Sequence, residues 1–179
     1  LHAANITVKN LVAEHFANDG FNFHGDCHNI RMENITGRNN GDDGFSAHED
    51  CQVTVVGGEF FGNTYGIEDA NASHTSFHNV KIHNNKTGVH FSGGRHSLHN
   101  CELTDNGVQL QLDRGSASSY LGKDRTASIF RAECFFKNGT IRGGKNGVKV
   151  NRDGMLAMIQ SHVEGVPVGI EAGPQAELF

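Results

Sequence analysis

The stretches "ANDGFNFHGDC" (residues 17–27) and "NGDDGFSAHEDC" (residues 40–51) are two versions of one pattern. Each places an aspartate before a glycine, a phenylalanine after it and a histidine four residues beyond it. Related tripeptides follow ("YGI", "TGV", "NGV", "NGV" and "VGI"), and the steps between the seven glycines are 24, 22, 22, 19, 40 and 22 residues. The chain is therefore a repeat of about 22 residues with one irregular interval.

Each repeat contains two short runs in which apolar and polar residues alternate. The first follows the glycine, as in "GFNFH" and "GVHFS", and the second follows a turn, as in "NIRMENI" and "NVKIHNN". Alternation with a period of two is typical of β-strands. A helical repeat would instead need amphipathic segments of roughly ten residues or more. The pattern predicts an all-β fold, a parallel β-helix of seven or eight coils, and strand twist favours right-handed coiling.

The 179 residues are expected to form a single β-helix domain, residues 1–179, that is an excerpt of a longer chain. We interpret the 40-residue interval as one coil that carries loop insertions at 113–126 and 137–147. Four turn asparagines at the same phase of their coils predict a ladder of stacked amides on the surface. These are Asn10, Asn34, Asn79 and Asn100.

Cys27 and Cys51 each lie seven residues after their glycine, so we expect them on adjacent coils about 4.8 Å apart. That distance allows a disulfide, but a ladder of buried thiols is the interpretation we favour. The four cysteines follow neither a C-x-x-C pattern nor a zinc-ligand spacing, so no structural zinc site is predicted.

Charge is uneven along the chain. Residues 1–70 hold 3 Lys or Arg against 11 Asp or Glu, whereas residues 71–179 hold 12 against 9. The acidic first part argues against a nucleic-acid partner, because phosphate binding depends on Lys and Arg. No apolar run is long enough to predict a membrane span. A neutral polysaccharide, or an anionic one approached through a bound cation such as Ca²⁺, fits this surface better.

If the residue after each glycine points inward, the flanking positions point outward on one face of the coils. On the first four coils these outward positions hold acids, imidazoles and a tyrosine; beyond them, Gln109 and its neighbours are mostly amides. The remaining histidines, including His96, are expected to be solvated. Asp19 and Asp43 share a phase, which predicts about 5 Å between them and suits acid–base chemistry on a glycosidic bond. The predicted catalytic residues are Asp19, Asp42, Asp43, His24 and His48, and the predicted substrate-binding residues are Asn22, Tyr65, Glu68, His90 and Lys149.

Nearly the whole chain resembles the right-handed parallel β-helix repeat proteins of the pectin lyase-like superfamily. Within it, "ANDGF" and "NGDDGF" are similar to the N-T-D and D-D motifs of polygalacturonase-type glycoside hydrolases. That resemblance implies that Asp19 matches the first aspartate of the family, and that Asp42 and Asp43 match the pair. In such enzymes these carboxylates supply the general acid and the base that activates water.

The stretch "DGFNFHGDCHNI" also resembles the D-P-H-D motif of mannuronan C5-epimerases, with His24 matching the histidine. Such enzymes abstract the proton next to a uronate carboxylate, which must be neutralised. A Ca²⁺ ion held by Asp19, Asp43 or Glu68 could supply that charge.

The leading hypothesis is a secreted, cell-surface or periplasmic polysaccharide-processing enzyme that hydrolyses glycosidic bonds with its aspartates and requires no cofactor. A lyase or C5-epimerase acting on uronates, with Ca²⁺, is the first alternative. A non-catalytic carbohydrate-binding β-helix, such as an adhesin or a tailspike-like module, is the second.

Overall fold

The computed structural model describes the backbone of residues 2–116 and 129–179. Its strands are β1 (His2–Lys9), β2 (Val12–Glu14), β3 (Phe21–Phe23), β4 (Asp26–Arg38), β5 (Asp43–Ala47), β6 (Gln52–Phe61), β7 (Tyr65–Ala70), β8 (His74–His83), β9 (Thr87–Ser92), β10 (Gly94–His99), β11 (Glu102–Thr104), β12 (Val108–Asp113), β13 (Gly115–Ser116), β14 (Ile129–Phe130), β15 (Ala132–Lys137), β16 (Thr140–Arg142), β17 (Asn146–Val150), β18 (Met155–Ile159), β19 (His162–Glu164), β20 (Val168–Ala172) and β21 (Glu177–Leu178).

All of these strands except β13 and β14 form two long parallel sheets. Sheet A follows the order β1-β4-β6-β8-β10-β15-β18-β21, with β2, β11, β16 and β19 as further members, and sheet B follows β20-β17-β12-β9-β7-β5-β3. Neighbours in both sheets come from successive coils and are paired in parallel. Each strand of sheet B marks one coil, which confirms the predicted right-handed parallel β-helix with about seven coils.

Columns of apolar side chains fill the space between the sheets. Phe45, Ile67 and Val89 are paired in register on successive strands of sheet B, and all three are fully buried. Phe45 meets Phe77 of sheet A edge to face, with 5.4 Å between the ring centroids. The two sheets therefore face each other across one core.

In the fifth coil, the strand register differs from the predicted register by two residues. Leu110, not Val108, pairs with Val89 and is fully buried, so the register partner of Gly88 is Gln109 rather than Gly107. The Gln109 side chain, predicted to face outward, is buried and donates to two backbone carbonyls at 2.8 Å. Gln111 and Asp113 are consequently the outward residues of this coil.

The predicted surface ladder of asparagines is present in two segments. All four residues have a left-handed backbone, with φ between 51° and 56°. Asn34 donates to Asn10 at 2.9 Å, and Asn100 donates to Asn79 at 3.1 Å. Gly57, with φ of 68°, occupies the intervening place and separates the two segments.

A second, buried asparagine ladder precedes the strands of sheet B. At each of its three steps, the later asparagine oxygen accepts the backbone N–H of the asparagine one coil earlier, and it also accepts the side-chain amide of that residue at 3.0–3.2 Å. Each side chain also donates to a backbone carbonyl across the turn. This network satisfies buried backbone groups at the turn and fixes where each outward strand starts. Its members are Asn40, Asn63, Asn85 and Asn106.

The long interval contains one excursion, not two. His99 pairs with Lys137 and Leu112 with Val150, the same separation of 38 residues, and β16 pairs with β11 and β19. Residues 137–147 therefore belong to a regular coil, and the prediction of an insertion there was wrong. The chain leaves the coil where β13 pairs with β14 in antiparallel fashion. Most of the predicted insertion at 113–126 lies outside the described residues.

Two further expectations concern buried side chains. All four cysteines are buried free thiols, so Cys27 and Cys51 stack without a disulfide, and burial raises the pKa of Cys51. His96 is not solvated as expected but only 2% exposed. Among the described residues, none forms a helix long and apolar enough to cross a bilayer.

Candidate active site

The outer face of sheet B brings most of the predicted site residues together. In register order across β3, β5, β7 and β9, one column holds Asn22, Ser46, Glu68 and His90. Carboxylates, imidazoles and a tyrosine flank this column on the same face. We call the following set the acidic strip: Asp19, Asn22, His24, Asp42, Asp43, Ser46, His48, Tyr65, Glu68, His90 and Asp113.

Three carboxylates form the centre of the strip. Oxygens of Asp19, Asp42 and Asp43 all lie within 4.8 Å of one another. The backbone N–H of Asp43 donates to Asp19 Oδ1 at 3.3 Å, and Asn22 donates to Asp19 Oδ2. Gly44 allows this close stacking, because a Cβ there would lie 2.7 Å from the carbonyl oxygen of the next coil. The predicted proximity of Asp19 and Asp43 is present in the structure.

Asp43 is the buried member of the three. Its side chain is almost inaccessible, at 2% exposure, and its Oδ1 has no hydrogen-bond partner. Burial raises the pKa of Asp43 to about 9, and the nearby charges of Glu68, Asp19 and Asp42 add to this effect. Burial, followed by Asp19 and Glu68, also raises the pKa of Asp42. At neutral pH the cluster therefore retains a proton on Asp43 beside less buried carboxylates.

His90 is the cationic element of the strip. Its Nδ1 lies 3.0 Å from Glu68 and its Nε2 lies 2.8 Å from Asp113. Burial alone would lower the pKa of His90, but the hydrogen bonds and charges of Asp113 and Glu68 raise it to about 9. The hydrogen bond from His90, with others from Gln111 and Asn151, lowers the pKa of Asp113 to about 2. His90 is therefore an imidazolium clamped between two carboxylates.

Tyr65 covers the clamped imidazolium. Its ring stacks on His90 with 5.5 Å between centroids and 24° between planes. Burial and the surrounding carboxylates, Glu68 first, raise the pKa of the Tyr65 hydroxyl, which keeps it a neutral donor. Together, Tyr65 and His90 provide a flat surface with a polar edge beside the three aspartates.

A pair of histidines forms the other side of the strip. The rings of His24 and His48 are stacked with 4.4 Å between centroids and 3° between planes. His48 Nε2 lies 2.7 Å from the Ser46 hydroxyl, and burial, then the neighbouring His24, lowers the pKa of His48. Glu49, which is 1% exposed, lies 3.1 Å from His24 Nδ1 and also accepts the N–H of Gly25. Glu49 thus fixes the orientation of the outer imidazole.

Lys149 lies farther from the reacting groups than predicted, and two residues of the site, Asp113 and Glu49, were not predicted. Lys149 shares the column of His90 but lies two coils beyond it, about 10 Å away by strand spacing, and pairs with Glu171 at 3.8 Å. Asp113 was missed because the fifth coil was read two residues out of frame. Glu49 was missed because its φ of 58° turns a residue of the loop into the interior.

The three aspartates are also the residues that could hold a metal ion. Carboxylate oxygens are the ligands that Ca²⁺ prefers, and the buried, unpartnered Asp43 Oδ1 is an acceptor that a cation would satisfy. A cation there would compete with the proton on Asp43. The residues therefore fit an oxygen-bound divalent ion, which would supply positive charge to an otherwise acidic strip.

Comparison with known proteins identifies the class. The chain matches the family described as "Right handed beta helix region" over residues 1–125, and it belongs to that family. No curated protein matches it in sequence.

Two solved structures share its fold. The A-module of the mannuronan C-5 epimerase AlgE4 from Azotobacter vinelandii superposes with a TM-score of 0.75 at 18% identity, and the A-module of AlgE6 from the same organism with 0.73 at 17%. In each case 99% of this chain is covered, and it spans 59% of the other chain. At this level of identity the likeness shows the fold.

Proposed function

We propose that this chain is a polysaccharide-processing enzyme that hydrolyses glycosidic bonds at the acidic strip. The observation that supports this most directly is the cluster of three aspartates, in which Asp43 has its pKa raised to about 9 while Asp19 and Asp42 lie within 4.8 Å. Glycoside hydrolysis needs two carboxyl groups beside the scissile bond: a protonated one that donates to the glycosidic oxygen, and an ionised one that acts at the anomeric carbon. Such enzymes act outside the cytoplasm on polymers, so a secreted, cell-surface or periplasmic location belongs to the proposal.

In this mechanism Asp43 donates its proton to the glycosidic oxygen as the bond to the anomeric carbon breaks. Asp19 or Asp42 assists attack on that carbon, either by taking a proton from water or by attacking directly. One oxygen from each of the three carboxylates lies within 4.8 Å of the others, which is closer to the roughly 5–5.5 Å between the carboxyl groups of retaining pairs than to the roughly 6.5–9.5 Å of inverting pairs. The geometry therefore favours direct attack by Asp19 or Asp42, which forms a glycosyl-enzyme ester. Water, whose proton passes to the now ionised Asp43, then cleaves this ester and releases the sugar with retention of the anomeric configuration.

The remaining residues of the strip would hold the sugar. Tyr65 offers an aromatic face, and Asn22, which uses one amide N–H on Asp19, offers the other to hydroxyl groups beside the aspartates. His90 has both N–H groups on Glu68 and Asp113 and would act by holding Tyr65 in place. His24 and His48 stack at the opposite side and would orient hydroxyls there. Lys149 is too distant for the reacting sugar and would contact a more remote one.

C5-epimerisation of a uronate is the second candidate function. It is favoured by the fold shared with two mannuronan C-5 epimerases. It is also favoured by the stacked Tyr65–His90 pair, since both groups are protonated and would return a proton to C5 after a carboxylate of the strip has removed one. The reaction needs a positive charge on the uronate carboxylate, and the His90 cation is already engaged by two carboxylates. A Ca²⁺ ion at the three aspartates would supply that charge.

The test is incubation of the purified chain with neutral and uronate polysaccharides, with and without Ca²⁺. New reducing ends without absorbance from unsaturated uronate are expected, and proton NMR should show retention at the new end. Absorbance, or C5 inversion without cleavage, would replace hydrolysis by proton abstraction. Binding without any product would favour a non-catalytic carbohydrate-binding module.

A substitution at Asp43 tests its proposed role as the proton donor. Asp43→Asn should lower turnover by about 10²–10⁴-fold and leave binding of the polysaccharide almost unchanged. Asp105→Asn is the matched control, because Asp105 is exposed, lies outside the strip and has a φ of 55° that asparagine adopts readily. Equal activity of both variants would contradict the role given to Asp43.

A further inference from the structure

The acidic strip carries negative charge that the protein itself does not balance. Five of its side chains are carboxyl groups, and the cation among them is the His90 imidazolium. Glu68 and Asp113 already share that cation, at 3.0 Å and 2.8 Å. A substrate that lies along the strip therefore meets an excess of carboxylates, and the excess remains when Asp43 is protonated.

Other basic side chains do not neutralise the centre of the strip. His24 is bound to the buried Glu49 at 3.1 Å, so this pair adds no net positive charge. Arg114 and Lys149 each pair with an acid of the later coils, at 3.4 Å and 3.8 Å. Lys86 precedes β9, at least two coils and about 10 Å from the three aspartates. Among the residues that the structure describes, these aspartates have no cationic partner.

The buried carboxyl group of Asp43 is a second indication of a missing ligand. Asp43 is 2% exposed, yet its Oδ1 accepts no hydrogen bond from any described residue. The same carboxyl group lies within 4.8 Å of those of Asp19 and Asp42. A buried acceptor without a donor is costly, so a donor from outside the chain is expected here. A primary ammonium group brings three N–H donors and one positive charge to such a cluster.

The carboxyl groups recur along the axis of the β-helix. Asp19, Asp43 and Glu68 belong to the first, second and third coils, whose strands are paired in register about 4.8 Å apart. That spacing is close to the length of one ring in an extended polysaccharide. A sugar chain along the axis would place one ring over each coil, and a chain with one cationic group on each ring matches the recurring carboxyl groups.

We propose that the substrate of the acidic strip is a polysaccharide of amino sugars, whose protonated amino groups bind the carboxylates of successive coils. The carbohydrate nature of this ligand rests on the proposed function and on the flat surface of Tyr65 and His90, whereas its positive charge rests on the unbalanced carboxylates. A uronate polymer would instead bring like charges together, which weakens binding.

The experiment measures binding by calorimetry in the Asp43→Asn background, so that turnover does not intervene, at a mildly acidic pH that keeps amino groups charged. The probes are a glucosamine tetrasaccharide, its fully N-acetylated counterpart, tetragalacturonate with and without Ca²⁺, and the polyamine spermine. The glucosamine tetrasaccharide should bind at least ten times more tightly than the N-acetylated one, and added salt should reduce that difference. Spermine at equal concentration should not displace it.

Variants assign the binding to the strip. The double variant Asp19→Asn/Asp42→Asn should weaken the glucosamine tetrasaccharide at least tenfold and change affinity for its N-acetylated counterpart less than twofold. Tyr65→Ala should weaken both tetrasaccharides and leave the affinity for spermine unchanged. The matched control is Glu102→Gln/Asp105→Asn, which removes two exposed carboxylates outside the strip and should change all affinities less than twofold.

Four results would each overturn the proposal: equal affinity for the two tetrasaccharides, full displacement by spermine, tighter binding of tetragalacturonate in Ca²⁺, or equal losses in the double variant and its control. The result is independent of catalysis. A wild-type protein that binds the glucosamine tetrasaccharide through Asp19 and Asp42 without cleaving it would contradict only the hydrolase. One that cleaves neutral or uronate polymers without this dependence on charge would contradict only the substrate class.

Discussion

His90 Nε2 lies 2.8 Å from Asp113 Oδ2, while its Nδ1 lies 3.0 Å from Glu68, so that one imidazole joins three successive coils. Because the pKa of His90 is raised to about 9, its contribution to stability is complete below pH 6.5 and is lost as the pH rises towards 9. Asp113, with its pKa lowered to about 2, contributes above pH 3.9 and loses its contribution as the pH falls towards 2. The pair therefore stabilises the fold most between about pH 4 and 6.5.

Asp113→Asn should lower the pKa of His90 towards its ordinary range, because the imidazolium loses the charged partner of its Nε2. The free energy of unfolding at pH 6 should fall by about 1.5 kcal/mol, the lower end for a hydrogen bond to a charged group, since both side chains are partly exposed. An NMR titration of the imidazole and urea denaturation measure the two effects. Asp153→Asn, with a side chain that is 31% exposed, is the control, and an equal shift of His90 in that variant would refute the assignment.

Asp43→Asn should change the dependence of stability on pH. The pKa of Asp43 is raised, so its protonated form stabilises the fold at low pH, and that contribution is lost between about pH 4 and 9 at up to about 1.4 kcal/mol per pH unit. Asparagine is neutral throughout. The variant and the wild type should therefore have similar stability at pH 4, and the variant should be the more stable at pH 9. Urea denaturation across this range is the measurement, and a difference that does not grow with pH would contradict the raised pKa.

The buried asparagine ladder should contribute far more than the exposed one. Asn63→Ala removes an acceptor for the N–H of Asn40 and a donor to the carbonyl of Gly37, and it leaves these buried groups without partners. Each buried group without a partner costs about 1–3 kcal/mol, so the free energy of unfolding should fall by about 3 kcal/mol or more. Asn34→Gly removes an exposed bond to Asn10 but preserves the left-handed backbone, so about 0.5 kcal/mol is expected. Chemical denaturation compares the two, and similar losses would show that the inner ladder is not structural.

A polar chain in the core gives a fourth prediction. Thr75 Oγ1 lies 2.5 Å from Asp69 Oδ2 and 2.8 Å from His96 Nδ1, and His96 Nε2 lies 2.7 Å from the carbonyl of Gly93. Burial raises the pKa of Asp69 to about 8 and lowers that of His96 to about 3, so both are neutral at pH 7. Because the Gly93 oxygen can only accept, Nε2 carries the proton, and every group has a partner if Asp69 donates to Thr75 and Thr75 donates to His96.

Thr75→Val should therefore destabilise the fold by about 2–5 kcal/mol at pH 7, because a buried acid and a buried imidazole both lose their partner. Thr75→Ser restores the hydroxyl and should recover most of that loss. Thermal unfolding of the three proteins is the measurement. A serine variant as unstable as the valine variant would show that the methyl group, not the hydroxyl, is what the core requires.

The glycine repeat was sufficient to predict the parallel β-helix and the meeting of Asp19 with Asp43. Residues at equivalent positions of successive repeats lie beside each other when coils stack, so the period of the sequence directly predicts which residues are neighbours in space. The same reasoning failed at the fifth coil, where Gln109 takes the place of a glycine. The asparagine three or four residues earlier is the more constant marker, as in Asn40–Gly44, Asn85–Gly88 and Asn106–Gln109.

Other features depend on contacts that no local pattern contains. The burial of His96 depends on Asp69 and Thr75, which belong to different strands and become its partners only after coiling. Glu49 reaches His24 because its backbone turns inward at a loop.

The strand register resumes unchanged after the excursion that begins beyond Asp113, since Leu112 and Val150 are partners just as His99 and Lys137 are. Strand hydrogen bonds in this fold run from one coil to the next, so the position of a coil is set by its neighbour and not by the number of residues that precede it. The turn after Asp113 can accordingly accept insertions of different length and composition without a change in the strand register of the coils. Beside the carboxylates and the clamped imidazole, it is a point at which new specificity can be grafted onto an unchanged scaffold.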